Sequence, residues 1–278
     1  MPELPEVETI KNDLRPMVEG RRFTGVTFFW PRMVLQPSAE ELCRQLPAKR
    51  IDEIARRGKY LIFRLEGGES LVLHMRMTGS LLLRDRNAAS PETDRYATAI
   101  FELDNGTELV FSDRRKLGTA SLVKDECELE CKLGPEPLDP RFTSEVFKER
   151  LSRRKAPIKA ALCEQKLIAG IGNMYADEAL FAAGIHPLRP ANSLTLAEIK
   201  KLHEAMRKVL VQAIGNAGAT FSDYRRPGGE EGSQQDAFSV AHRGGQACKV
   251  CSAPIERIPV RNRGTYFCPR CQNSATCS

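Results

Sequence analysis

The spacing of apolar residues changes near residue 140 of this 278-residue chain. Val7, Ile10, Leu14 and Met17 recur at helical spacing and predict an amphipathic helix from Val7 to about Met17. Short β-like runs follow at Phe23 to Trp30, Tyr60 to Leu65, Ser70 to Met75, Ala97 to Leu103, Glu108 to Ser112 and Thr119 to Val123. Glu66-Gly67-Gly68-Glu69 joins two of them, and Asp104-Asn105-Gly106 signals a hairpin because Asn-Gly tolerates positive φ. Many short strands without long helices between them predict an antiparallel β-sandwich. Gly134-Pro135-Glu136-Pro137-Leu138-Asp139-Pro140 has no periodicity and reads as a boundary between domains. Beyond it the period becomes 3.6, with helices expected over 143–154, 158–168 and Asn173 to Ala183, the last closed by Gly184 and Pro187. A fourth opens on the capping box Thr195-Leu196-Ala197-Glu198, and its stripe Ile199, Leu202, Met206, Val209, Leu210, Ala213 reads as core.

The expected class is therefore α+β and multidomain. A β-sandwich with a leading helix occupies 1–134, a linker 135–142, a helical domain 143–240 with a polar, glycine-rich loop over 217–240, and a small finger 241–278. The chain has 42 Lys+Arg against 36 Asp+Glu, a net charge of +6, which suggests a polyanionic partner. No run of 18 apolar residues is present to span a membrane, and the start lacks the basic and apolar regions of a secretory signal. Nine cysteines without an export signal imply reduced thiols, a metal site and a cytoplasmic home.

Cys248-Lys249-Val250-Cys251 and Cys268-Pro269-Arg270-Cys271 are separated by sixteen residues, the spacing of a four-thiolate zinc ribbon. A closed site of four Cys leaves no position for water, so one structural Zn2+ is expected. The two arms should form a hairpin with Asn262-Arg263-Gly264-Thr265 at its tip. Cys277, six residues past the last ligand, reads as a free thiol on a tail.

The start, Met1-Pro2-Glu3-Leu4-Pro5-Glu6-Val7-Glu8-Thr9, carries candidate chemistry. Removal of Met1 would leave Pro2 as a secondary amine, and an α-amino group with a pKa of roughly 7.7–8.0 is partly neutral and nucleophilic at cellular pH. It can attack an acetal-like carbon and collapse to a charged imine while the neighbouring carboxyl of Glu3 moves protons. On composition alone the same residues read as a frayed terminus, with Glu placed to suit the helix macrodipole. The nine-residue start resembles that of the formamidopyrimidine-DNA glycosylases, bacterial base-excision repair enzymes with an N-terminal proline. The run from Ile158 through Gly170-Ile171-Gly172-Asn173 to Pro187 resembles that family's helix–two-turns–helix, and Cys248 to Gln272 resembles its zinc finger.

The resemblance implies further roles, position by position. Lys59, in Arg57-Gly58-Lys59-Tyr60, lies in the catalytic pocket and touches a phosphate. Met77 fills the gap left by an extruded base, and Arg115 faces the orphaned partner base. Leu117 stands where the family has a Phe wedge; apolar wedges of Leu do kink DNA, although without a π-face. Lys159 and Asn173 bind the phosphates flanking the lesion, and Arg263 grips the phosphate at the extruded nucleotide. The loop folds over the flipped base, but its entrance reads Ala217-Gly218-Ala219-Thr220 where Gly-Gly-Ser/Thr-Thr is common. Cys163-Glu164-Gln165 also departs from the family and reads as a packing position.

The implied activity is a bifunctional DNA glycosylase and apurinic/apyrimidinic lyase for oxidised purines such as 8-oxoguanine and formamidopyrimidines. The partner is damaged double-stranded DNA, bound by a monomer mainly through phosphates and so salt-sensitively. Two rivals stand beside it. An endonuclease VIII-type enzyme for oxidised pyrimidines usually has Gly at position 4, whereas this chain has Leu4. A non-enzymatic damaged-DNA binder would need a broken catalytic end, whereas Pro2, Glu3 and Lys59 are all present.

Overall fold

The computed structural model describes residues 2–88 and 95–273, so the reading of Cys277 lies outside the described residues. The chain divides into two compact units, one made of the residues through Glu130 together with Asn216–Gln235, the other of Cys131–Gly215 with the residues from Asp236 onward.

The first unit opens with helix α1 (Leu4–Val18). It starts three residues ahead of the first periodic position, with Glu3 as N-cap and Pro5 in the first turn, where a missing N–H costs nothing. Val7, Ile10, Leu14 and Val18 are fully buried, whereas Met17 is half exposed. A 100° step per residue carries position 18, not 17, back into line with position 7. The strands are β1 (Phe23–Phe28), β2 (Val34–Gln36), β3 (Ile51–Arg57), β4 (Tyr60–Leu65), β5 (Ser70–His74), β6 (Gly79–Asp85), β7 (Ala97–Leu103), β8 (Thr107–Asp113) and β9 (Thr119–Val123), with the short helix α2 (Ala39–Gln45) before β3. A four-stranded antiparallel sheet runs β1-β7-β8-β6, and a five-stranded sheet runs β2-β9-β5-β4-β3. All neighbours pair antiparallel except β2, which lies parallel to β9 at the sheet's edge. The sandwich core joins the buried face of α1 to Phe23, Phe63, Leu71, Leu73, Phe101 and Phe111, with Phe23 edge-on to Phe63.

The second unit contains α4 (Ser144–Leu151), α5 (Ile158–Leu162), α6 (Asn173–Ala183) and α7 (Leu196–Gly215). A short helix α3 (Cys127–Lys132) spans the border of the two units, and α8 (Gln234–Ala237) lies at the other border. The capping box forms: Thr195 N and Oγ1 donate to Glu198 Oε2 at 2.8 and 2.9 Å, and Glu198 N donates to Thr195 Oγ1 at 3.3 Å. Helix α5 is only five residues long, not eleven, and Gln165 explains its end. The Gln165 amide donates to Cys163 O at 3.3 Å and Ile171 O at 2.7 Å, and accepts from Gly170 N at 2.9 Å. Gln165 is thus the organiser of the turn and not a mere packing residue. Strands β10 (Glu256–Val260) and β11 (Arg263–Phe267) form the finger hairpin. Its two-residue turn is Arg261-Asn262, both at positive φ as a type I′ turn requires, so Arg263 is the first residue of β11 and not part of the tip.

Candidate functional site

In the first unit the site is built at the start of α1. Pro2, Glu3 and Glu6 are all buried. Glu3 N donates to Glu6 Oε2 at 2.7 Å, while Glu6 Oε1 accepts from Ala219 N at 2.9 Å. One buried carboxylate therefore ties the N-cap to the polar loop. Arg56 Nε donates to Glu8 Oε2 at 2.6 Å and its Nη1 to Gly58 O at 2.9 Å, so α1 also fixes the turn that carries Lys59. Burial pushes the Glu8 carboxyl up, but Lys11 and Arg56 outweigh it and hold it below the usual range. Lys59 is buried at the β3–β4 turn. His74, across the β4–β5 ladder from Tyr60, is lowered to about 3 by burial and by the charges of Arg76 and Lys59. Neutral, its Nδ1 accepts from Arg76 N at 2.9 Å.

Two turns of the same unit project side chains outward, and Asp113 joins them. Its buried carboxylate accepts the Thr78 hydroxyl and Arg115 N (3.1 Å) on one oxygen, and Leu117 N and Gly118 N (2.7 Å each) on the other. Positive φ at Arg76 and at Lys116 gives both turns a left-handed step. Met77 and Leu117 emerge 43% and 42% exposed, and Arg115 is exposed between them in sequence. Lys116 lies over the face of Trp30 with Nζ 4.7 Å from the ring centre.

The polar loop was expected to belong with the helical domain, but its contacts over Asn216–Gln235 are with the sandwich. Ala219 and Thr220 are buried. Ala219 N is taken by Glu6, and Thr220 N donates to Gln235 Oε1 at 2.9 Å, so these amides shape the loop itself. Tyr224 donates its hydroxyl to Ala217 O at 3.1 Å, and burial raises its phenol above the usual value. Gly218 stands at φ +76°, where a Cβ would lie 2.9 Å from Glu6 Cγ.

In the second unit, Lys159, Asn173 and the finger hairpin come together. Lys159 is 1% exposed; its Nζ donates to Asn173 O at 2.6 Å and to the Asp177 carboxylate. The resemblance puts Lys159 at a phosphate; in the structure its ammonium is turned to these two internal acceptors. Burial raises Asp177 to about 7 against the opposing pull of Lys159. Asn173 Nδ2 donates to Gly264 O at 2.8 Å, and Arg263 is exposed one residue earlier. Glu178 accepts Ser239, Val240 and Ala241 N–H groups at 2.8–3.0 Å, anchoring the chain that leads into the finger. The Sγ atoms of Cys248, Cys251, Cys268 and Cys271 all lie within 4.8 Å of one another, with Cys251–Cys268 at 3.4 Å and Cys248–Cys271 at 3.9 Å. Tetrahedral thiolates with Zn–S near 2.3 Å would stand about 3.8 Å apart, so the four fit zinc.

Three family models cover nearly the whole chain. The formamidopyrimidine-DNA glycosylase N-terminal domain matches residues 1–120, the formamidopyrimidine-DNA glycosylase H2TH domain 133–224, and the zinc finger found in FPG and IleRS 245–273. The chain belongs to the formamidopyrimidine-DNA glycosylase family. It is 48% identical over 276 residues to the formamidopyrimidine-DNA glycosylase of Symbiobacterium thermophilum, covering 98% of this chain and 89% of the relative. Identity to that of Chloroflexus aurantiacus is 47%, over 98% of both chains. Among solved structures, the Lactococcus lactis Fpg bound to an abasic-site DNA superposes with a TM-score of 0.90 at 36% identity, over 98% of this chain and 99% of the other. A complex of the wild-type Lactococcus lactis enzyme with an oxidised-pyrimidine DNA superposes equally well, with a TM-score of 0.90 at 36% identity over 98% and 100% of the two chains.

Glu6, Asp113, Gln165, Asp177 and Glu178 are the site-building residues that sequence reasoning did not single out. Asp113 had a local signal, an Asp opening a turn. Gln165 acts within its own turn, whereas Glu6, Asp177 and Glu178 bridge segments as distant as Glu6 and Ala219, which no local pattern reports.

Proposed function

We propose that this DNA glycosylase of base-excision repair excises oxidised purines, and cuts the strand, through a covalent intermediate on Pro2. The observation that carries the reading is the buried N-cap of α1, where Pro2 and Glu3 are held by the Glu3 N–H to Glu6 bond at 2.7 Å. After loss of Met1 the Pro2 nitrogen attacks C1′ of the damaged nucleotide and the bond to the base breaks. The attacking nitrogen gives up its proton to the departing base, Glu3 protonates O4′ as the C1′–O4′ bond breaks, and the nitrogen lone pair forms an iminium with C1′. The iminium acidifies the C2′ proton. Its removal expels the 3′ phosphate, and a second elimination expels the 5′ phosphate.

Lys59 meets a phosphate at the pocket, Met77 fills the vacated stack, and Arg115 with Leu117 addresses the opposite strand. The loop at Gly218, Ala219 and Thr220 closes on the extruded base. In the helical unit the second N–H of the Asn173 amide and the Arg263 guanidinium take the flanking phosphates. The four thiolates of Cys248, Cys251, Cys268 and Cys271 hold a structural zinc that keeps the hairpin folded and takes no part in the chemistry. The enzyme acts as a monomer in the cytoplasm, on chromosomal DNA. Among the described residues no helix is long and apolar enough to cross a membrane.

Duplexes carrying 8-oxoguanine, a formamidopyrimidine or thymine glycol, incubated with the purified protein under single-turnover conditions, test the substrate class. Faster strand cleavage at the two purine lesions is expected. Preference for thymine glycol would instead place the chain with the oxidised-pyrimidine enzymes.

A further inference from the structure

We propose that the buried Lys159–Asp177 pair is a latch that registers the finger hairpin on the first turns of α6, making Asp177 a positioning residue for Arg263. The inference rests on the reading of Arg263 as a phosphate ligand. Among the described residues the hairpin has two strands, so one edge of β11 has no strand partner there. That edge is closed by α6. Asp177 Oδ2 accepts Tyr266 N at 3.1 Å, and Asn173 Nδ2 donates to Gly264 O at 2.8 Å. Gly264 and Tyr266 flank Thr265, which is fully buried, and alternate groups along a strand face the same edge. Two side chains one helical turn apart on α6 thereby grip β11 at two points, immediately after Arg263.

Lys159 makes the grip rigid. Its Nζ holds both halves, donating to Asn173 O at 2.6 Å and to the other oxygen of Asp177. Asp177 and Lys159 are each 1% exposed. An ion pair so deeply placed is poor at stabilising a fold, since apolar residues of the same volume often do as well. What apolar residues cannot do is accept the Tyr266 N–H or orient the Asn173 peptide. The chemistry retained here is directional, and the part it directs is the strand that begins with Arg263.

The test uses the full-length zinc protein and a duplex containing a tetrahydrofuran abasic site, with affinity measured by anisotropy across a salt series. The variant K159M/D177L removes both charges while keeping the Asp branching and the approximate length of the Lys stem, so zinc content and circular dichroism should match the parent. It should nevertheless bind about tenfold more weakly, with a salt slope shallower by about one phosphate contact. R263Q should weaken binding to a similar degree in the parent and add little in the K159M/D177L background, because the contact is already lost there. D177N guards against a misfolded double variant. Its single oxygen can serve only one of the two donors, and a loss of about threefold in affinity is expected. Parent-like affinity in K159M/D177L or in D177N, with R263Q still impaired, overturns the latch while sparing the phosphate role of Arg263. Equal R263Q effects in both backgrounds overturn it as well. No effect of R263Q even in the parent removes the phosphate role, and the latch with it.

Discussion

Leu117 is the residue proposed as the wedge, with Leu where the family resemblance implies Phe, and its surroundings set the size of the expected effect. The side chain is 42% exposed and its amide is held by Asp113 at 2.7 Å, so the backbone is fixed independently of what the side chain touches. Burying a whole Leu contributes roughly 1.5–3 kcal/mol. With little more than half of Leu117 covered, and no closed cavity to leave behind, L117A should cost about 1–1.5 kcal/mol of stability. A core Leu→Ala change would instead cost about 2–5 kcal/mol. On DNA the same truncation removes the apolar wedge and should weaken binding to an abasic-site duplex about tenfold, ~1.4 kcal/mol. L117F restores a π-face. Stacking is worth about 1–3 kcal/mol per base in single-strand systems, and part of that should tighten binding by at most about tenfold. Urea midpoints and anisotropy titrations on both variants decide the matter. Zinc content and single-turnover excision at saturating enzyme should change little. A loss of stability in the core range, with unchanged affinity in the folded fraction, would refute the wedge.

Two further outcomes follow from the same geometry. At Gly218, φ is +76° and a Cβ would stand 2.9 Å from Glu6 Cγ, so G218A should strain the loop by about 1–2 kcal/mol and displace the carboxylate from Ala219 N. Base excision should slow by roughly tenfold while cleavage at a preformed abasic site changes less, as read in parallel single-turnover assays. C268S should lose zinc, measured by metal analysis, and with it most DNA affinity. The sandwich should still melt cooperatively, because its core and the finger's cluster around Cys248 and Cys268 are separate. A zinc content still near one per chain would contradict the four-thiolate site.

Elements whose side chains follow one period were legible in the sequence. β4 and β7 and helices α6 and α7 fall where the apolar pattern sets them, and the Cys spacing located the metal ligands. β3 and β6 were hidden. β3 carries Asp52, Glu53, Arg56 and Arg57 among few apolar residues, and β6 ends in Arg84-Asp85, so neither shows a clean alternation. The candidate site divides in the same way. Pro2, Glu3 and Lys59 stand in contiguous motifs. The exposure of Met77 and Leu117 depends instead on Asp113 bonding to both turns, a contact between residues 35 positions apart. Lys159 is a related case: its phosphate role comes from the family resemblance, and only the fold reveals Asp177 against it.

Covalent trapping at the N-terminus bears most directly on the central claim. The protein is incubated with 8-oxoguanine duplex in the presence of borohydride, and the adduct is digested and mapped by mass spectrometry. Reduction should fix a single DNA adduct on the peptide beginning with Pro2. P2G should trap weakly, and a form retaining one extra residue ahead of Pro2 should not trap at all. Undiminished trapping with the N-terminus blocked, or an adduct mapped to a lysine such as Lys59, would contradict the account.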